Sequence, residues 1–167
     1  MGNIGTVVAR KWIGAMEDQI LAYDPFAPEG AWPDVEHRRV WSLEELLNWS
    51  NVVTVHVPFT NGSRNMIGKR QFDLMKSNAI LINAARGGIV DGSALAEALT
   101  TQKLYGAGLD AMEVEPPTVE VYHEMLNLIM LPHVGATTLE NQIICGTAVA
   151  EIVLEVLKGW NAPNRLI

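Results

Sequence analysis

Three kinds of side chain in this sequence could act together on an anionic substrate: one arginine, Arg86; a run of acids, Asp110, Glu113 and Glu115; and a histidine, His133. Arg86 lies in Ala79-Ile-Leu-Ile-Asn-Ala-Ala-Arg-Gly-Gly-Ile-Val-Asp91, where an apolar run stops at a turn of small residues. Its planar fork suits a carboxylate, and Gly87 and Gly88 let a ligand come close to the backbone. The acids follow the small-residue run Tyr105-Gly-Ala-Gly-Leu109, and Pro116 and Pro117 keep the next segment extended. His133 follows Asn127-Leu-Ile-Met-Leu131 and Pro132. Singly, each feature has a plain explanation: a surface ion pair, an acidic loop, a capping histidine. Together, at three neighbouring strand ends, they point to acid/base chemistry on an anionic substrate.

Such convergence needs strands that end along one edge. Gln19 to Tyr23, Val52 to Val57, Ala79 to Ile82, Tyr105 to Leu109 and Asn127 to Leu131 are short apolar runs, each stopped by a turn residue. They read as strands covered on both faces in a parallel sheet. Helical patterns lie between them. Thr6 to Ala15 offers Val7, Val8 and Trp12 for burial, Ser42-Leu-Glu-Glu45 forms a capping box for a helix to about Trp49, and Lys69 to Met75 makes a short helix. Asp91 caps a helix to about Thr101, with Leu95, Leu99 and the intervening alanines towards the sheet. Thr137 and Glu140 cap a final helix, about 138–158, that Gly159 ends. The fold class is α/β, a doubly wound parallel sheet in which ligands bind at the carboxyl ends of the strands. His56, within a strand, reads as a structural histidine. Pro25 to Arg39, with three prolines and a glycine, reads as the longest loop.

The amino terminus adds a second function. Gly2 and Gly5 match the second and third glycines of G-x-G-x-x-G, but the first glycine and the strand before it do not appear. In the usual order that strand is central, so its absence is expected to leave a gap in the sheet. Asp24 ends the next strand, 19 residues after Gly5, the spacing of the acid that binds the adenosine ribose. A carboxylate there accepts bonds from the ribose hydroxyls and repels a 2′-phosphate, and Pro25 and Phe26 bring no cation, so NAD is preferred to NADP. Pro58 and Thr60 begin a loop at the same edge that could touch the dinucleotide.

The totals exclude other classes. With 167 residues, 49% hydrophobic and 19% charged, the chain can bury a sizeable core. A net charge of -7 argues against a general nucleic-acid binder or a polybasic membrane-surface protein. No stretch nears the roughly 18 apolar residues of a membrane span. The single cysteine, Cys145, offers neither a disulfide framework nor a metal cluster, reads as a small buried hydrophobe, and fits a cytoplasmic location.

In order along the chain, Gly2-Asn-Ile-Gly5, Tyr23-Asp-Pro25, His56-Val-Pro58, Asn83-Ala-Ala-Arg-Gly-Gly88, Gly108-Leu-Asp110 with Glu115-Pro116, and Pro132-His-Val-Gly135 resemble the cofactor-binding domain of the D-isomer-specific 2-hydroxyacid dehydrogenases. The ordered set covers nearly the whole chain. The resemblance implies a Rossmann-like NAD-binding domain and hydride transfer between nicotinamide and a small 2-hydroxy or 2-oxo acid. It implies that Arg86 binds and polarises the 2-oxo acid, His133 exchanges a proton with its C2 oxygen, and Glu115, the acid directly before the proline, orients the imidazole. NAD would be held by Gly2, Asn3, Ile4, Asp24, Pro58, Thr60, Ala84, Arg86, Asp110, His133 and Gly135, with Asp110 at the carboxamide; no metal is implied. A homodimer is a further expectation of the resemblance. The chain departs from the family in lacking the first strand and the substrate domain, towards which the final helix would reach. It is therefore expected to be an incomplete NAD-binding domain: a fragment, a truncated product or a module completed by another chain. The alternative function is a catalytically silent NAD-binding or interaction module.

Overall fold

Short β-branched and small-residue runs alternate with helices, and in the computed structural model they assemble as parallel strands, described over residues 1–16, 18–115, 122 and 125–160. The helices are α1 (Asn3–Met16), α2 (Leu43–Trp49), α3 (Lys69–Leu74), α4 (Gly92–Thr100) and α5 (Leu139–Leu157). The strands are β1 (Leu21–Ala22), β2 (Arg38–Arg39), β3 (Val52–Val55), β4 (Ile80–Asn83), β5 (Gly106–Leu109) and β6 (Leu128–Met130). The chain divides into two units, Met1–Pro132 and His133–Ile167.

In the first unit β3, β4, β5 and β6 form one sheet in that order, every neighbouring pair parallel. The register puts Val53, Leu81, Ala107 and Leu128 in one row and Val55, Asn83, Leu109 and Met130 in the next on the same face. Val53, Val55, Leu81, Asn83, Ala107 and Leu109 are buried in these rows. Phe72 of α3 and Leu95, Ala98 and Leu99 of α4 belong to the same core, as do Leu47, Ile67 and Ile89. β1 and β2 pair separately, Leu21 with Arg38 and Ala22 with Arg39. β1 and β3, the strands that flank a glycine-turn strand in the usual order, share no ladder among the described residues.

The local signals are mostly where the sequence places them. The Ser42 hydroxyl accepts from the Glu45 N–H at 3.0 Å, while the Glu45 carboxylate reaches back to the N–H of Trp41 rather than of Ser42 itself. The Asp91 carboxylate accepts from Ala94 at 3.0 Å and starts α4. Three expectations are corrected. β2 lies inside the expected 25–39 loop, because its backbone pairs with β1 despite two charged side chains. Val7 is exposed: Gly5 and Ala9 are buried, and Val7 lies on the opposite side of the helical wheel. β3 ends at Val55, so His56 lies just beyond the strand. Pro116 and Pro117 lie outside the described residues.

In the second unit, α5 is capped by the Thr138 hydroxyl, which accepts from Asn141 at 3.2 Å; the cap is one residue later than Thr137 because Thr138 takes the extended backbone. Gly159, at φ +92°, ends the helix, with its N–H on Val156 and that of Trp160 on Glu155. None of the described residues of α5 is buried, and Leu139, Ile143, Ile144, Val153 and Leu157 are exposed. Cys145, expected to be buried, is exposed on this helix.

Candidate functional site

Asn83 ends β4 as a polar residue in an otherwise apolar row, 1% exposed between Val55 and Leu109. A buried amide must be hydrogen-bonded. Its Nδ2 donates to the Arg86 carbonyl at 2.9 Å, and its Oδ1 accepts from the Ala85 N–H at 3.2 Å. One side chain thus closes the turn that carries Arg86. The guanidinium is at the surface, with Nη1 on the Ala85 carbonyl at 2.7 Å, and Ala84 is exposed beside it. Sequence reasoning left Asn83 without a role. The signal was an amide closing an apolar strand just before a small-residue turn.

Gly87 joins this turn to the next strand end. A Cβ on Gly87 would lie 1.9 Å from the Met112 carbonyl oxygen and 2.5 Å from the Glu113 nitrogen. The loops after β4 and β5 therefore meet backbone to backbone, which brings the Arg86 and Glu115 segments together. Glu115 is exposed and accepts from the Met112 N–H through Oε1 at 3.0 Å. Asp110 is 7% exposed at the end of β5, its N–H bonded to the Asn83 carbonyl at 2.9 Å. A cavity of about 160 Å³ has Asn83, Gly87, Met112, Glu113 and Tyr122 in its lining; Arg86 and Glu115 do not line it.

The loop after β3 is tied to the Arg86 turn from the other side. Ser63 bonds the Pro58 carbonyl at 2.7 Å and receives the Thr60 N–H at 2.8 Å. Asn65 donates to Gly88 at 2.7 Å, and Ile67 bridges Val90 in parallel. Gly88, at φ +72°, sits under Phe59, which a Cβ would meet at 3.0 Å. Pro58, Thr60 and Arg86 thus belong to one connected set of loops.

The amino-terminal segment forms a second cluster. A Cβ on Gly2 would have nothing within 4 Å, leaving open backbone before α1. On Gly5 it would lie 3.3 Å from Met1 and 3.5 Å from His56. One glycine thus leaves the backbone open and the next is closely packed, the contrast expected of the second and third glycines of a dinucleotide turn. Asn3 and Ile4 lie in the first turn of α1, and the free N–H groups of a helix start suit an anion. Asp24 follows β1; its Oδ1 accepts from Phe26 at 3.0 Å and its Oδ2 from the Met1 ammonium at 3.2 Å. Burial pushes its carboxyl up, but the Phe26 N–H and the ammonium outweigh that and hold it below the ordinary carboxylate value. These residues fit the adenosine half of NAD: an ionised acid for the ribose and an open helix start for the pyrophosphate.

His133 opens the second unit, exposed and at φ +56°, a left-handed conformation uncommon outside glycine. Gly135 lies in the turn that follows, where Thr137 donates to Val134 at 2.8 Å. Among the described residues there is no metal-binding group of histidine, cysteine or acids, and no helix is long and apolar enough to cross a membrane.

Parallel strands, a glycine-opened helix and an arginine-bearing turn define a dinucleotide-binding domain of the dehydrogenase class. The chain belongs to the D-isomer specific 2-hydroxyacid dehydrogenase family, whose NAD-binding domain it matches over residues 1–135. It is 40% identical to the D-3-phosphoglycerate dehydrogenase of Methanocaldococcus jannaschii, over 98% of this chain and 31% of that protein. It is also 40% identical to the hydroxypyruvate reductase of Thermotoga maritima, over 93% of this chain and 50% of the relative. The structure resembles D-lactate dehydrogenase with NAD+ from Lactobacillus jensenii at a TM-score of 0.87 and 30% identity, covering all of this chain and 53% of that one. The chain thus spans about a third to a half of the length of these relatives.

Proposed function

We propose that this chain is the cofactor-binding part of an NAD-dependent 2-hydroxyacid dehydrogenase, and that Arg86, Glu115 and His133 are its catalytic residues. The observation that carries the reading is the contact at Gly87, which joins the arginine turn and the glutamate loop at the carboxyl edge of the sheet. Gly2, Asn3, Ile4 and Asp24 hold the adenosine ribose and pyrophosphate; Pro58, Thr60, Ala84, Asp110 and Gly135 complete the set of residues that hold the cofactor. When bound, NAD supplies the hydride carrier.

The chain's own residues do the rest. Arg86 binds the carboxylate of a small 2-oxo acid and polarises its carbonyl, and its charge counts most where negative charge grows on the C2 oxygen. His133 gives that oxygen a proton in reduction and takes it back in oxidation. Glu115 orients the imidazole and favours its protonated form. The substrate-selecting residues belong to a second domain, and the protein works in the cytoplasm as a homodimer.

Calorimetry of NAD with the 167-residue chain tests the cofactor half directly. Saturable binding that Asp24→Ala weakens supports the assignment. A folded chain that binds no NAD overturns it and leaves the motifs as marks of ancestry.

A further inference from the structure

Arg39, in a segment that composition reads as loop, makes an unusual set of contacts. Its backbone pairs with Ala22, two residues before Asp24. Its guanidinium crosses the turn after β1: Nη1 donates to the Pro28 carbonyl, and Nη2 to those of Ala27 and, at 3.2 Å, Asp24. Two indoles flank it, Trp41 at 4.6 Å and Trp32 at 5.6 Å from ring centroid to Cζ. Its Nε is buried and has no hydrogen-bond partner among the described residues. An orphaned N–H carries a desolvation cost, so the group is kept here against a penalty. A cation on three carbonyls of one five-residue turn fixes the shape of that turn, and this turn carries the Asp24 carboxylate with its bond to Phe26.

We propose that Arg39 is a positioning residue for the adenosine end of NAD. It holds the Asp24–Pro28 turn closed so that the carboxylate meets the ribose hydroxyls already oriented, and the two tryptophans hold the guanidinium in place. The proposal rests on the reading of Asp24 as the ribose acid. Lysine cannot replace it fully, because a single ammonium does not span three carbonyls with a planar fork.

The test uses Arg39→Met, which keeps the stem between the indoles, and Arg39→Lys, in the full chain. ADP-ribose and nicotinamide mononucleotide are titrated by calorimetry. Loss of pre-organised, charge-assisted bonds is expected to weaken ADP-ribose about tenfold or more in Arg39→Met, less in Arg39→Lys, with nicotinamide mononucleotide unchanged. Asp24→Ala combined with Arg39→Met should weaken ADP-ribose no further than Asp24→Ala alone. Equal weakening of both ligands, unchanged ADP-ribose affinity, or additive losses would overturn the proposal. Hydrogen exchange without ligand separates it from the cofactor reading: the Phe26 and Ala27 amides should exchange faster in Arg39→Met, and in Arg39→Lys if the methionine variant does not fold. Unchanged protection overturns the clamp. Faster exchange in a chain that binds no ADP-ribose supports the clamp and overturns the cofactor reading instead.

Discussion

The side-chain amide of Asn83 donates to the carbonyl of Arg86 at 2.9 Å, from a site 1% exposed to solvent. A strand-end residue in the core thus sets the backbone of the turn that presents the arginine. Asn83→Ala leaves the Arg86 carbonyl and the Ala85 N–H without this partner, a loss of about 1–3 kcal/mol. A fall of several degrees in Tm by calorimetry is expected; a Tm unchanged from wild type would refute the role of the amide.

Gly87 admits no side chain. With a Cβ at 1.9 Å from the Met112 carbonyl oxygen, Gly87→Ala must part the two loops, at a cost of about 3 kcal/mol or more by analogy with overpacking. Urea unfolding measures it, and Gly62→Ala is the control, since a Cβ there meets Thr60 at a comfortable 3.8 Å.

Asp91 bonds the Ala94 N–H at 3.0 Å at the start of α4, whose Leu95, Ala98 and Leu99 are buried. Asp91→Ala should cost about 1 kcal/mol, and Asp91→Asn, which also caps, should recover most of it. Equal Tm values for the two variants would count against the cap.

His56 lies against Gly5, and its Nε2 shares a 3.0 Å hydrogen bond with the Thr54 hydroxyl. Burial first, and the amino-terminal ammonium second, push its pKa below 6.5. The folded state therefore favours the neutral ring, while the unfolded chain takes up the proton first as pH falls. Its contribution to stability is full above 6.5 and is lost as pH falls through the folded value. The Tm of wild type should fall from about pH 7.5 to about pH 5 more steeply than that of His56→Gln; parallel curves would exclude His56 as the group responsible.

The proposed role of His133 can be read in a chimera in which this chain replaces the cofactor domain of a full-length relative. His133→Ala should lower kcat by about 10²–10⁴-fold with a much smaller change in NAD affinity. An unaffected kcat would remove His133 from the reaction.

The order of strands and helices, the caps at Ser42 and Asp91, the Gly159 helix end and the family were legible in the residues because each depends on local spacing or on an ordered set of motifs. Period and turn chemistry act over a few residues, and those residues are adjacent in the chain. β2 was not legible, because Arg38-Arg39 has no strand pattern of its own and becomes a strand by pairing with β1. The roles of Asn83, Gly87 and Arg39 were equally hidden. Each is defined by a neighbour that folding brings up: an amide aimed at a turn, a glycine with another loop's backbone against it, a guanidinium drawn over three carbonyls. Residue types announce which chemistry is available; the packing of one strand end against the next decides which backbone each group touches, because those contacts join segments the linear sequence keeps apart.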